Sequence, residues 1–328
     1  MTKNKSILIT GGTGSFGKSF INYIFKNKIK FKKIVIFSRD EFKQFEMSKN
    51  YNSNQLKNLR FFLGDIRDKE RLKVAFRDID IVIHAAALKQ VPAAEYNPLE
   101  FIKTNILGAQ NIVEAALENN VENVVNLSTD KACSPINLYG ATKLCADKLF
   151  ISSNNIKGKK KIKFSVVRYG NVFSSRGSAI PEFYKQKKNG IIKITHKNMT
   201  RFNIFMEDAI KMVLWSLKNL GGGEILIPKL SSFKIIDLVK IIAQNCKIKF
   251  IGVRPGEKIH ESLISTSESR NAIDIGKYYL IISDDNLKNK CLNKFKGKKF
   301  PENQEYSSSN SKNILSITKL KKLLSSQN

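Results

Sequence analysis

Tyr139 and Lys143 stand four residues apart in Tyr-Gly-Ala-Thr-Lys, a spacing that places both on one face of a helix. A lysine there, together with the positive ring of an oxidised nicotinamide, can lower a phenol from its usual pKa of about 10. Tyr139 could then take a hydroxyl proton as hydride leaves. The pair is common and usually means nothing by itself. Here it follows Ser128-Thr129-Asp130-Lys131, which closes an apolar β-branched run, and it lies downstream of a glycine-rich turn.

That turn is Gly11-Gly12-Thr13-Gly14-Ser15-Phe16-Gly17, directly after the run Ser6–Thr10 and before a helical pattern. Glycines let such a turn tighten, and they let backbone N–H groups at a helix start approach a pyrophosphate. Gly11, Thr13, Gly14, Ser15, Phe16 and Gly17 are therefore the first cofactor candidates. The second run ends Ile36-Phe37-Ser38-Arg39-Asp40, where an acidic residue would meet the ribose of NAD. Ser38 and Arg39 come first here, and a guanidinium suits the 2′-phosphate of NADP. The alternative has Arg39 as an exposed helix-start residue with Asp40 facing the ribose. Asp65 and Ile66 after the third run, and Ala85 and Ala86 after the fourth, fall at successive strand ends, where such sheets bind ligands.

The elements that must position these residues read as alternating strands and helices. Short runs at Ser6–Thr10, Lys33–Phe37, Arg60–Leu63, Asp80–His84, Asn123–Leu127 and Lys163–Val167 are separated by helical spacing at Phe16–Phe25, Pro98–Glu118 and Leu138–Ser152. This pattern predicts an α/β fold, a doubly wound parallel sheet of Rossmann type covered on both faces. Beyond Arg168 a loop-rich stretch, 169–201, precedes a helix at 206–218, a strand at 224–228 and a helix from 234 to about 245. The expected division is a dinucleotide domain (1–170 plus about 203–230), a smaller discontinuous substrate lobe (about 171–202 plus 231–284) and a basic, weakly packed tail (285–328), within which 314–324 has helical spacing.

Taken together, TGGTGSFGK (10–18), SRDEFKQFEM (38–47), HAAALKQVPAAEYNP (84–98), STDKACSPINLYGATKLCADKLF (128–150), VRYGNVFSSRGS (167–178), MTRF (199–202) and RPGEKIHE (254–261) resemble the extended short-chain dehydrogenases/reductases. Within them the chain is most similar to the inverting UDP-N-acetylglucosamine 4,6-dehydratases that begin pseudaminic acid synthesis. The resemblance runs nearly end to end. It implies a redox-neutral dehydration: oxidation at C4 of the hexose acidifies the C5 proton, a base removes it as the C6 hydroxyl leaves, and hydride returns to C6. Related glucose-nucleotide dehydratases carry Asp-Glu where this chain has Asp130-Lys131. The resemblance assigns Lys131 to the C5 proton, Asp130 to the leaving hydroxyl and Thr129 to orienting O4. A lysine acts as base only when neutral, so its pKa is expected to fall well below about 10.4. The plain alternative is a strand-end ion pair. Inversion at C5 follows from the resemblance alone.

By the same likeness Glu41, Lys43, Lys89, Thr104 and Val172 join the cofactor set. Lys89, Asn171, Arg176, Thr195, Arg201, Arg254 and Glu257 are expected to hold UDP-N-acetylglucosamine. Gln90 stands where a histidine is expected, and Asn203 where a tryptophan is. Relatives with a retaining outcome, and capsule epimerases, are expected to carry methionine in place of Tyr139. A homo-oligomer is implied by the family.

The 57 Lys+Arg against 28 Asp+Glu give a formal charge of +29. The lysines are dispersed rather than striped, and a positive field also draws in a diphosphate, so a nucleic-acid partner is not expected. Cys133, Cys145, Cys246 and Cys291 lack ligand-like spacing, which points to no metal site and no disulfide framework. No apolar run approaches the roughly eighteen residues of a membrane span, and the first residues lead straight into a strand. A cytoplasmic enzyme without a membrane partner is expected.

Overall fold

The structure is a computed structural model that describes residues 2–173 and 179–325. Six strands, β1 (Ser6–Thr10), β2 (Lys33–Ser38), β3 (Leu59–Leu63), β4 (Ile81–His84), β5 (Asn123–Thr129) and β6 (Lys163–Tyr169), lie in the parallel order β3-β2-β1-β4-β5-β6. Strand Glu224–Pro228 continues the parallel sheet beside β6. The order reverses between β1 and β4, so a crevice opens at the carboxyl ends of these two strands.

Alternate residues of each strand feed opposite cores. Leu8, Val35 and Val82 face the side covered by helices Lys69–Ala75, Gly108–Glu118 and Leu138–Ile156. Ile7, Ile9, Ile34 and Ile36 face the side covered by Ser15–Lys26 and Met206–Asn219, which pack on each other. Two buried faces account for near-continuous apolar strands with no polar alternation. The doubly wound parallel sheet is therefore present as expected. It runs on through antiparallel strands Tyr278–Ile282, Ala272–Asp274 and Lys298–Lys299. Residues 272–282, grouped with the second lobe on sequence, thus pair with the main sheet.

A separate core lies outside the main sheet. Strands Asn171–Val172, Thr200–Ile204 and Ser231–Lys234 form a small sheet, and Ile191–Ile194 pairs with Lys247–Phe250. Phe183, Ile192, Leu238, Val239 and Ile242 are buried between them. The stretch read as loop-rich contains the helix Ala179–Lys187, whose only buried residues are Ile180 and Phe183. So narrow an apolar face on a short helix gives little periodic signal. The C-terminal segment is also better packed than its composition suggests. Helix Ile317–Ser325 buries Leu320 and Leu324 in that separate core, and Tyr306–Ser307 pairs with Ser262–Ile264. No helix among the described residues is long and apolar enough to cross a membrane.

Candidate active site

Gly11 turns the chain out of β1 with φ +64°, and a methyl group there would come within 2.9 Å of the Ala86 backbone. Glycine alone combines that left-handed conformation with so close an approach. Gly17 instead faces inward, where any side chain would meet the Gly12 carbonyl. Helix Ser15–Lys26 begins at Gly14 with no side-chain cap and no acidic residue in its first turn, so its N–H groups and positive end are free for an anion. Thr10 ties the opposite rim, its hydroxyl 2.8 Å from His84 Nδ1 and accepting from the backbone N–H groups of Ala85 and Ala86.

At the next strand end Arg39 is half exposed, with Nη1 3.6 Å from Asp65 Oδ2. Asp40 caps helix Glu41–Ser48, accepting from the Lys43 N–H at 2.9 Å and the Lys43 ammonium at 2.6 Å. These bonds hold its carboxyl below the usual range. Thr104 lies in a π-helical stretch, Ile102–Leu107, inside what the spacing reads as one continuous helix from Pro98 to Glu118. Its buried hydroxyl has no hydrogen-bond partner among the described residues. Bulges of this kind recur at functional sites.

The catalytic candidates meet at the end of β5. Thr129 is its last residue, and Asp130–Ala132 forms a single tight turn before the helix Leu138–Ile156 that carries Tyr139 and Lys143. Asn137 caps that helix by accepting from Gly140 N–H at 2.7 Å. The Thr129 hydroxyl donates to Asp130 Oδ1 at 3.0 Å. Lys131 Nζ lies 3.0 Å from Asp130 Oδ1, 3.3 Å from Glu261 Oε1 and 3.4 Å from Asn171 Oδ1. Lys143 donates to the Leu127 carbonyl at 2.8 Å.

These contacts correct one expectation. Burial pulls the Lys131 pKa down, but the carboxylates of Asp130 and Glu261 outweigh it, so the ammonium is held above the ordinary lysine range rather than below it. Burial also pushes the Tyr139 phenol up to about 12, even though the neighbouring Lys131 and Thr129 act to lower it. Burial lowers Lys143, partly offset by Asp147.

One cavity of about 1580 Å³ connects these groups. That exceeds the roughly 300–1,000 Å³ of ordinary ligand pockets and leaves room for a dinucleotide and a second ligand. Among the cofactor candidates Gly11, Thr13, Gly14, Ser15, Phe16, Ser38, Arg39, Asp40, Lys43, Asp65, Ile66, Ala85, Ala86, Lys89, Thr104 and Val172 border it. Gly17 and Glu41 do not, Gly17 because it packs against the loop and Glu41 because it points outward on its helix. Thr129, Lys131, Tyr139 and Lys143 also border it, whereas Asp130 is fully buried behind them, its Oδ2 without a partner among the described residues.

On the lobe side Asn171, Thr195, Arg201, Arg254 and Glu257 line the same space; Arg176 lies outside the described residues. Arg201 is buried, and its guanidinium donates to the carbonyls of Thr200, Lys258 and Ile259, so much of its capacity goes into shaping the loop 254–261. Arg254 is mostly exposed and paired with Glu257 through two 3.2 Å contacts. Gln90 and Asn203 both line the cavity. Glu261 was not singled out from the sequence. It borders the cavity beside Lys131, and no spacing rule links two residues so distant in the chain.

A glycine turn at a free helix end, placed at the switch point of a doubly wound sheet, defines a nucleotide-binding α/β protein of Rossmann type. The chain belongs to the polysaccharide biosynthesis protein family, which it matches over residues 7–283, and it has the extended short-chain dehydrogenase/reductase fold. It is 55% identical over 283 residues (86% of this chain, 84% of the relative) to the inverting UDP-N-acetylglucosamine 4,6-dehydratase of Campylobacter jejuni subsp. jejuni serotype O:23/36. It is 43% identical over 332 residues (99% and 96%) to a protein of Rickettsia bellii named UDP-glucose 4-epimerase. The solved structure of Pen from Bacillus thuringiensis is 36% identical, covers 100% of this chain and 98% of its own, and superposes with a TM-score of 0.89.

Proposed function

We propose that this chain is an inverting, NADP-dependent UDP-N-acetylglucosamine 4,6-dehydratase. The observation that carries the reading is that Thr129, Lys131 and Tyr139 border the same cavity as the free helix end after the glycine turn. The name of the Campylobacter jejuni relative supports the substrate and the outcome at C5. The uncapped helix end and the unpartnered Thr104 hydroxyl fit a dinucleotide, and Arg39 favours NADP.

When bound, NADP supplies the hydride acceptor for C4, the donor that later reduces C6, and a positive ring beside the phenol. Tyr139 takes the proton of the C4 hydroxyl, with Thr129 orienting that oxygen. The ketone at C4 acidifies the C5 proton, which Lys131 removes once its own ammonium has lost a proton. Asp130 keeps Lys131 directed at the sugar; its sequence-based assignment as acid to the leaving hydroxyl sits poorly with its place behind the cavity wall. Arg254, Glu257, Lys89 and Arg176 are proposed to hold the diphosphate and uridine. In this proposal the sheet domain with 203–230 serves the cofactor, and 171–202 with 231 to about 270 serves the nucleotide sugar. The product would feed pseudaminic acid synthesis.

The Rickettsia bellii relative favours a second reading, a 4-epimerase, which needs Tyr139 and Lys143 but no water loss. Incubation with UDP-N-acetylglucosamine and NADP, followed by mass spectrometry, separates the two. A product lighter by one water supports the dehydratase; an isomer of unchanged mass supports the epimerase. Tyr139→Phe should lower turnover by at least about 100-fold.

A further inference from the structure

Glu261 is a carboxylate with an unusual setting. Its side chain is 3% exposed, yet the residue borders the cavity. Oε1 lies 3.3 Å from Lys131 Nζ and 3.9 Å from Arg201 Nε, while Oε2 is buried with no hydrogen-bond partner among the described residues. Its backbone is pinned on both sides by Ser308: the Glu261 N–H donates to Ser308 Oγ at 2.9 Å, and the Glu261 carbonyl accepts from the Ser308 N–H at 2.7 Å. The Ser308 hydroxyl is also 2.7 Å from Thr200 Oγ1, which in turn is 2.8 Å from His260 Nδ1. A carboxylate held this firmly, desolvated and short of one partner, is an expensive way to balance a charge that Asp130 already pairs.

We infer that Glu261 is the carboxyl that takes the proton from Lys131 and delivers it to the departing C6 oxygen. The inference rests on the dehydratase reading above. In the first step a proton moves from Lys131 Nζ to a Glu261 carboxylate oxygen, leaving a neutral amine and a neutral acid. In the second, the amine takes the C5 proton, the electron pair of that C–H bond forms the C5–C6 double bond, the C6–O bond breaks, and the Glu261 proton goes to the leaving oxygen as water forms. Lys131 ends as ammonium and Glu261 as carboxylate, so the pair is restored without any further reactant. Asp130 also has one carboxylate oxygen without a partner among the described residues, but it is fully buried outside the cavity lining, whereas Glu261 borders the cavity, and its Oδ1 accepts from both Thr129 and Lys131. It anchors the lysine.

The test is Glu261→Gln in the full chain with NADP bound, followed by stopped-flow absorbance of the reduced nicotinamide and by product formation from UDP-N-acetylglucosamine. Reduced cofactor should form at close to the wild-type rate and then persist, with dehydration slowed at least about 100-fold, because only the second half-reaction has lost its acid. Dehydration at the wild-type rate would overturn the assignment, as would equal loss of both signals in a folded variant. If Glu261→Gln does not fold, Glu261→Ala with added formate decides: restored dehydration supports a carboxyl at this place, and the same rate with and without formate rejects it. Failure of the wild-type chain to reduce its cofactor with this substrate would overturn the dehydratase reading and this assignment together. Wild-type turnover beside a fully active Glu261→Gln would overturn the assignment alone.

Discussion

His84 shows how a single side chain records the demands of the site. It closes β4, is buried against Phe150, and meets the Thr10 hydroxyl at 2.8 Å. Burial, with a smaller contribution from the charge of Lys143, pushes its pKa down to about 3. As pH falls, the unfolded chain takes up this proton first, near the ordinary value of about 6.5. The stabilisation is therefore complete above about pH 6.5 and is lost progressively toward pH 3, at about 1.4 kcal/mol per pH unit. His84→Asn, which keeps a hydrogen-bonding group toward Thr10 and does not titrate, should flatten the fall of urea midpoint between about pH 6.5 and 4.5. Equal slopes for the two proteins would contradict this. His84 reads from sequence as a packed, hydrogen-bonded residue, and it is one. The charge states of Lys131 and Tyr139 were not legible, because they depend on Glu261 and on depth of burial, which neighbouring residues do not encode.

At the scale of elements, strand ends and helix starts do most of the positioning, and these are the parts the sequence announces. Apolar β-branched runs closed by Gly-Gly-Thr-Gly, Ser-Arg-Asp and Ser-Thr-Asp-Lys mark where β1, β2 and β5 end, because chain reversal at a strand end needs turn and cap chemistry. The π-helical turn at Ile102–Leu107 was invisible, since one extra residue in a turn leaves the apolar spacing nearly unchanged. It nevertheless carries the buried Asn105, which grips the Leu88 backbone through 2.9 Å bonds in both directions and reaches Thr142 on the helix that carries Tyr139. Cofactor choice also belongs to this scale. Asp40 is committed to capping its helix, which leaves Arg39 as the charged group at the end of β2. Arg39→Ala should weaken NADP binding roughly 10- to 100-fold, the worth of lost charge-assisted hydrogen bonds to a phosphate, and change NAD binding far less. Fluorescence titrations with both dinucleotides check this; an equal loss for both would place Asp40, not Arg39, at the ribose.

Over the whole molecule the C-terminal segment contributes side chains both to the core beneath the main sheet and to the separate core outside it. Tyr306 packs on Phe202 and donates its hydroxyl to the Leu230 carbonyl, Ser308 holds Glu261, and Leu320 and Leu324 complete the separate core. Its composition, rich in Lys, Asn and Ser, pointed toward weak packing, because the bonds that anchor it run from serine hydroxyls and backbone groups and leave no apolar period. Burying those two leucines and Tyr306 is worth about 1.5–3 kcal/mol each, comparable in sum to the net stability of a domain. A chain ending at Phe300 should therefore melt many degrees lower and lose turnover, by thermal denaturation and activity assay; an unchanged melting temperature would contradict the anchoring role.

The most direct measurement is proton NMR of the product formed from UDP-N-acetylglucosamine in deuterated water. A 4-keto-6-deoxy sugar nucleotide carrying deuterium at C5 with inverted configuration is the expected result. A product of retained configuration, or an epimer that has kept its C6 hydroxyl, would contradict the assignment of Lys131, Tyr139 and their shared cavity to an inverting dehydration.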